Sequence, residues 1–411
     1  MPALPRIFRL SAESLLLCLV GVMTATATAA DKQPLQVWIL AGQSNMQGHA
    51  HVSTFDSMKL RPHTNMLLQD MVQADGTPKT CERVWISSLG SAPEIRTGRL
   101  TAGFGAEPRG PKIGPQFTFG LRMEQLTEAP ILIIKTSWGG KSLNTDFRPP
   151  NGGRYEFNER QLENFEKQKK DLAEIRAEKD EATGHYYRLM LEHVRSVLAD
   201  PGTVYPQYDA DAGYELAGFV WFQGWNDMVD GGTYPERGQP GGYDQYATLM
   251  AQFIRDVRTD LKSPQLPFVI GVMGVNGPTA KYGPDQQRYL NIHQSFRDAM
   301  AAPAKLAEFK GNVTAVLTEE FWDQEVSALR KRDQDLKPQL EKLRESQKAG
   351  DLTRQQLEDQ TAALYAKNFT ENELVLLRTS TSNAEFHYMG SGAIMAGIGR
   401  AFAEAGHALQ K

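Results

Sequence analysis

Cysteine is scarce in this chain of 411 residues, which has only Cys18 and Cys81. That scarcity excludes a disulfide framework and any multi-cysteine zinc site. Neither sign of charge predominates: 45 Lys and Arg face 49 Asp and Glu, a formal net charge of −4. A chain built to bind nucleic acid over a broad surface carries a basic excess, and none is present. Past the N-terminal segment no apolar run reaches the length of a membrane span. Disorder throughout is excluded too, because 41% of the residues are hydrophobic and 23% charged. What remains is a folded globular chain long enough for one large core.

The N-terminus has the order of an export signal. Arg6 and Arg9 precede an apolar stretch around Leu15 to Met23, and Ala25, Ala27, Ala29 and Ala30 follow. Small residues after a short apolar run predict cleavage after Ala27, Ala29 or Ala30, with residues 1–30 as the signal peptide. The competing readings are a membrane anchor or a loose helix, for which the apolar run is short. Cleavage removes Cys18 and leaves Cys81 alone. The expected location is therefore periplasmic or secreted, without membrane contact in the mature protein.

Residues 31–411 read as a single α/β domain. Apolar, β-branched runs predict strands at Gln36–Ala41, Val84–Ser87, Ala129–Thr136, Leu216–Gln223, Leu266–Val272 and Val313–Leu317, with a short one at Leu374–Leu377. Helical spacing predicts helices at Phe117–Met123, Leu189–Leu198, Tyr246–Val257 and Ile394–Phe402. Strands alternating with helices favour a parallel sheet covered on both faces. Two stretches dense in charge interrupt this pattern, at about 157–183 and 324–368. In the second, Leu329, Leu336, Leu340 and Leu343 approach heptad spacing and Gly350 separates a further helical run. This predicts an inserted, charged helical hairpin. It could serve as a solvated cover, as a contact between protomers of a homo-oligomer, or as a partner-binding face.

The most informative local pattern is Gly42-Gln43-Ser44-Asn45-Met46-Gln47-Gly48, directly after the first strand. A serine just beyond a buried strand sits at the ligand-facing edge of an open α/β sheet. Flanking glycine permits a tight turn, and backbone N–H groups there can face a developing oxyanion. Alone, a serine in a turn is commonly only a cap or turn element. The pattern is neither the Gly-x-Ser-x-Gly elbow nor a phosphate loop.

Gly42-Gln43-Ser44-Asn45-Met46 resembles the nucleophile block of the SGNH hydrolase superfamily. More narrowly, it is similar to the sialate O-acetylesterase-like group and the related acetylxylan esterases of carbohydrate esterase family six. Further blocks match in order. Gly114-Pro115-Gln116-Phe117-Thr118-Phe119-Gly120 resembles the helix start of that group. Lys135-Thr136-Ser137-Trp138-Gly139-Gly140-Lys141-Ser142 resembles its second block, and Trp221-Phe222-Gln223-Gly224-Trp225-Asn226-Asp227 its third. Phe386-His387, before a glycine-containing closing helix, resembles the block that supplies the base.

The resemblance implies a flavodoxin-like three-layer α/β/α sandwich with a mostly parallel sheet. It also implies a serine esterase that removes O-acetyl groups from an O-acetylated glycan or sugar. In that reading Ser44 is the nucleophile and His387 the base. Oxyanion donors are the N–H groups of Ser44 and of Gly139 or Gly140, with the amides of Gln223 and Asn226. Asn45, Trp138 and Trp225 are candidates for substrate contact, Trp225 being the tryptophan most expected to be exposed. Arg109, Lys141 and Arg148 could meet a carboxylated sugar or simply be solvated. The chemistry implied needs no cofactor and no metal.

The chain departs from that group at two places. The aspartate commonly found three residues before the histidine is replaced by Ala384, leaving Glu385 as the nearest acid to His387. Glu319, Glu320, Asp323 or a backbone carbonyl are the alternatives. A carboxylate common after the Trp-x-Gln-Gly segment is replaced by Trp225. These departures keep two other functions in view. One is a non-catalytic glycan-binding protein that retains the hydrolase pocket; the other is an esterase for a different small acyl ester.

Overall fold

The computed structural model describes Met1 and residues 33–411, so the signal peptide read from the sequence lies outside the described residues. Residues Pro34–Lys411 form one compact unit. Its centre is a seven-stranded sheet of β1 (Leu35–Gly42), β2 (Val84–Gly90), β3 (Arg96–Arg99), β4 (Ile131–Ser137), β5 (Tyr214–Phe222), β6 (Phe268–Val272) and β7 (Val313–Leu317). The strand order is β3-β2-β4-β1-β5-β6-β7. All neighbours run parallel except β3, which closes one edge antiparallel to β2.

The helices that frame the sheet and the site are α1 (Ser44–Gln47), α2 (Pro115–Leu126), α3 (His185–Ala199), α4 (Asp244–Asp260), α5 (Gln324–Ala349), α6 (Arg354–Asn368) and α7 (Gly392–Ala408). Because strand side chains alternate between faces, neighbouring strands feed both layers. Trp38 of β1 meets Phe119 of α2 with ring centroids 5.3 Å apart, and Phe222 of β5 meets Phe402 of α7 at 5.3 Å. On the opposite face Trp221 of β5 packs on Phe253 of α4 at 4.4 Å. Trp38 and Trp221 are fully buried. Each such ring removes on the order of 200 Å² from water, worth about 5 kcal/mol before the entropy of ordering is set against it. The unbroken apolar run Ile131–Ile134 fits a strand covered on both sides. The three-layer α/β/α arrangement with a mostly parallel sheet is therefore present.

The strand order positions the site. From β1 the chain moves to β2 and β4 on one side, and from β5 it moves to β6 and β7 on the other. The carboxyl ends of β1 and β5 flank the point of reversal, where open α/β sheets place their ligands. Ser44 follows β1 and Gln223 follows β5.

Leu374–Leu377 is not a strand. It lies in a helix, Glu371–Thr379, whose start is fixed by a reciprocal capping box between Thr370 and Glu373. Its leucines pack with the hairpin rather than joining the sheet. Edge strand β3 and helices Pro62–Met71 and Leu290–Ala301 were not among the elements read from the sequence, although Ile292, Phe296 and Met300 of the last recur at helical spacing. Arg96–Arg99 pairs through its backbone and has no apolar alternation.

Residues 159–182 contain two helices, Glu159–Lys167 and Leu172–Ala182, capped by Asn158 and Asp171. α5 ends at Gly350, in the left-handed conformation, and α6 returns from a Thr353 cap. Leu329, Leu336 and Leu340 of α5 form a small separate core with Phe369 and Leu376. The root of α5 is pinned to the body by Arg61, which pairs with Asp323 and, at 3.1 Å, with Glu325. Among the described residues, no helix is long and apolar enough to cross a membrane.

Candidate active site

Ser44 opens the one-turn helix α1 and is 7% exposed. The turn that presents it demands glycine. A Cβ on Gly42 would lie 2.1 Å from the Phe222 carbonyl oxygen, and one on Gly48 (φ +94°) would lie 2.3 Å from the Gly114 backbone. Gln43 stitches this turn to the end of β5. Its N–H donates to the Phe222 carbonyl at 3.2 Å, and its side-chain Oε1 accepts from the Gly224 N–H at 2.9 Å. Its Nε2 donates to Asn226 Oδ1 at 3.0 Å. The Ser44 N–H lies in the first helical turn, which has no intrahelical acceptor, and among the described residues it makes no backbone hydrogen bond. Lys135, buried in β4, donates from Nζ to the carbonyls of Gln47 and Phe104, both at 2.7 Å, and so anchors the end of α1. Burial pushes that ammonium well below its usual range.

His387 sits in the turn Glu385–Gly390, which packs against α1. Asn45 ties the two together: its Nδ2 donates to the Phe386 carbonyl at 3.1 Å. The turn is strained, since Tyr388 (φ 51°) and Met389 (φ 58°) are both left-handed without being glycine. The buried Tyr388 hydroxyl accepts the Gly274 N–H at 2.7 Å and shares a hydrogen bond with Thr318 Oγ1 at 2.6 Å, which holds the turn in place.

The group that orients the imidazole is Asn383. Its Oδ1 lies 3.0 Å from His387 Nδ1 and also accepts the Ala384 N–H at 2.8 Å. The second bond fixes the amide oxygen toward the ring, so Nδ1 must be the donor and Nε2 keeps its lone pair. Glu385, the acid expected beside His387, turns away to Arg330 of α5, with contacts of 2.7 and 3.2 Å. Burial opposes ionisation of Glu385, but the hydrogen bonds and charge of Arg330 outweigh it and hold the carboxyl below its usual range. The alternative acids are no nearer to the ring by hydrogen bonding: Glu319 pairs with Arg297 and Asp323 with Arg61. Glu320 makes no bond to it.

A second histidine lies flat on the first. The rings of His49 and His387 are stacked 3.9 Å apart at an interplanar angle of 2°. Burial lowers His387 to about 4. His49 is lowered to about 3 by burial first, then by the positive charges of His387, Lys112 and Lys135. Both rings are neutral at neutral pH. The only cue to His49 in the sequence is its place directly after the glycine closing the Ser44 turn.

The oxyanion candidates divide. Gln223 is buried, and both its amide hydrogens are committed, to the Lys141 carbonyl at 3.0 Å and to Asp227 Oδ2 at 2.6 Å. It braces the site and has no N–H left for an oxyanion, contrary to the expectation from its block. Asp227, which the sequence reading left without a role, is the hub of this corner. It also accepts from the N–H groups of Leu143 and Asn144, from Asn144 Nδ2 and from the Tyr234 hydroxyl, at 2.7 to 3.1 Å. Burial pushes its carboxyl up while these bonds pull it back. Asn226 differs from Gln223: Gln43 holds its Oδ1, and among the described residues Nδ2 has no acceptor. The Gly139 N–H donates to Ser91 Oγ at 3.1 Å, and Gly140 (φ 74°) lies on the exposed side of the same turn.

The family model described as carbohydrate esterase, sialic acid-specific acetylesterase, matches residues 34–305. The chain belongs to that family. It is a carbohydrate esterase whose matched portion includes Ser44 and the Gln223–Asp227 corner, while the hairpin and the His387 turn lie beyond it. Three solved structures are similar to it. A protein from Arabidopsis thaliana has 16% identity and a TM-score of 0.37, covering 69% of this chain and 86% of its own. A carbohydrate acetylesterase from Xanthomonas citri has 14% identity and a TM-score of 0.32, covering 66% and 48%. NanS has 13% identity and a TM-score of 0.35, covering 69% and 78%. No curated protein sequence matches the chain.

Around this esterase's site the aromatic residues are sorted by burial. Trp138 is buried among Phe147 and Tyr186, so it packs the core and offers no open face to a sugar. Trp225 is half-buried and leans on Phe386, with centroids 5.7 Å apart. Phe386 is 40% exposed and, although it adjoins His387 in the same block, was given no role of its own from the sequence. Of the three basic candidates, Arg148 is buried and donates to the carbonyls of Asn144, Gly152, Gly153 and Arg154. Lys141 pairs with Asp146 at 3.4 Å and lies over the Tyr186 ring. Arg109 is exposed. Among the described residues no group of three or more His, Cys, Asp or Glu is arranged to hold a metal ion.

Proposed function

We propose that this carbohydrate esterase is a serine O-acetylesterase, cleaving acetyl groups from sugar hydroxyls through an acetyl-serine intermediate. The observation that carries the reading is the Asn383–His387 bond of 3.0 Å, which leaves Nε2 as a base on a turn tied by Asn45 to the Ser44 helix. His387 Nε2 takes the proton from Ser44 Oγ as that oxygen attacks the acetyl carbonyl carbon. The tetrahedral oxyanion is stabilised by the Ser44 N–H, by Asn226 Nδ2 and by an N–H of the Gly139–Gly140 turn. Each such donor is worth about 3 kcal/mol in the transition state. Collapse breaks the bond to the sugar oxygen, which leaves with the proton from His387. Water then gives a proton to the same nitrogen and attacks the acetyl-serine. Acetate departs and Ser44 Oγ is reprotonated.

A neutral amide in the orienting position is compatible with this chemistry, as Cys-His-Asn sites use one in the same role. It supports the imidazolium less strongly than a carboxylate. Trp225 and Phe386 support a sugar-facing wall beside the base. The N-terminal segment supports export, to the periplasm or beyond the cell.

Acetate release from a panel of O-acetylated glycans, with Ser44→Ala in parallel, tests the reading. Release that is lost in the variant is expected. Equal release by both proteins would remove Ser44 from the mechanism. Retained glycan binding by the folded protein without release would favour a glycan-binding descendant.

A further inference from the structure

Beside the His387 turn a groove of about 390 Å³ runs between α5 and the 276–286 segment that follows β6. Glu385 and Met389, on either side of His387 in the chain, form part of its lining. Its ionic side chains are already paired, Arg330 with Glu385 at 2.7 Å and Lys331 with Asp285. Of the uncharged ones, Gln286 is engaged, accepting the Gly283 N–H at 3.2 Å. Among the described residues, Asn276, Ser327 and Gln334 make no side-chain hydrogen bond, and Gln324 Nε2 is buried without a partner. An anion would find no unpaired cation there. A ligand with many neutral hydroxyls would find free amides and a hydroxyl that both donate and accept.

The groove also lies in line with the site. Across the sheet the order β1, β5, β6, β7 places the Ser44 turn, Trp225, the 276–286 segment and the root of α5 side by side along one edge. With strands about 4.8 Å apart, the groove begins roughly 10–15 Å from Ser44, past Trp225 and Phe386. That is beyond the reach of one sugar ring and within reach of a chain of them.

We propose that this groove binds the sugar residues flanking the O-acetylated one, so that the preferred substrate is a neutral acetylated oligosaccharide. The proposal rests on the esterase reading above, and it gives the inserted hairpin a part in substrate selection.

The test compares kcat/KM for an acetylated monosaccharide and for an acetylated oligosaccharide of the same sugar. It uses the full-length protein, Gln334→Ala and Ala328→Trp. Ala328 is exposed on the groove wall, so the larger ring fills the groove without entering the core. The oligosaccharide is expected to be favoured about tenfold or more, mainly through KM. Gln334→Ala should reduce that preference about fivefold, the worth of one hydrogen bond. Ala328→Trp should abolish it. Equal kcat/KM for the two substrates, or a preference that survives Ala328→Trp in a protein with unchanged circular dichroism, overturns the proposal. If no acetylated substrate is cleaved, the esterase reading fails instead. Calorimetric binding of the deacetylated oligosaccharide then decides the groove: binding weakened by Ala328→Trp upholds it, and binding absent or unaffected by that change refutes it.

Discussion

Asn383 Oδ1 accepts the Nδ1 proton of His387 at 3.0 Å, four residues away across a turn held by Tyr388. This neutral contact stands where an acid was expected, and on the proposed mechanism it orients the base. Asn383→Ala should lower kcat/KM about 10- to 100-fold, the loss of one hydrogen bond to a group that becomes charged. Asn383→Asp should move the acid limb of the kcat/KM profile upward, because a carboxylate favours the imidazolium. A limb that stays near the value of about 4 in that variant would mean the contact does not act on the catalytic ring.

Arg330 spans the two ends of the segment that carries Asn383, bonding Thr381 Oγ1 at 3.0 Å and Glu385 Oε1 at 2.7 Å. Arg330 thus links the hairpin to the His387 turn. Arg330→Met should lower kcat several-fold on small and large acetyl esters alike, with partial recovery in Arg330→Lys. Steady-state kinetics on a small aryl acetate checks this, and unaltered kcat in Arg330→Met would detach the hairpin from the turn.

Gln223 and Asn226 are expected to separate by phenotype. Gln223→Ala removes a donor from buried Asp227, which should cost about 1–3 kcal/mol of stability and be read as a lower thermal midpoint. Asn226→Ala removes a free donor and should lower kcat about 100-fold. Thermal unfolding beside kcat for both variants checks the division, which fails if Asn226→Ala leaves kcat intact.

Two buried histidines and two half-buried ones couple stability to pH. Burial lowers His193, His293 and His387 to about 4 and His49 to about 3, against an ordinary value of 6.5. The unfolded chain therefore binds more protons between these values, and stability rises with pH across that window. It is fully present above about 6.5 and is lost as pH falls toward 4. Urea midpoints measured at several pH values should drop through this range with an uptake of up to four protons on unfolding. A flat profile between those limits would contradict the neutral rings.

The frame and the position of the Ser44 turn were legible because their signals are local. Ile131–Ile134 reads as a covered strand from composition alone, and glycines on both sides of Ser44 mark its turn. Functions set by tertiary contact were not legible. Whether the Gln223 amide faces solvent or Asp227 depends on the 141–146 loop folding over it. That Glu385 turns to Arg330 depends on a helix more than fifty residues earlier in the chain. The stacking of His49 on His387 joins segments more than three hundred residues apart. Leu374–Leu377 was misread because four apolar-rich residues fit either period, although Thr370 and Glu373 mark a helix start.

The central claim is that Ser44 carries the acetyl group between two half-reactions driven by His387. Acid quenching during turnover of an acetylated glycan, followed by mass spectrometry of the Ser44 peptide, tests it most directly. The account predicts an acetyl group on Ser44, absent from Ser44→Ala, and slower to form in His387→Gln. Acetate release by a protein whose Ser44 never carries that group, at a rate Ser44→Ala matches, would contradict it.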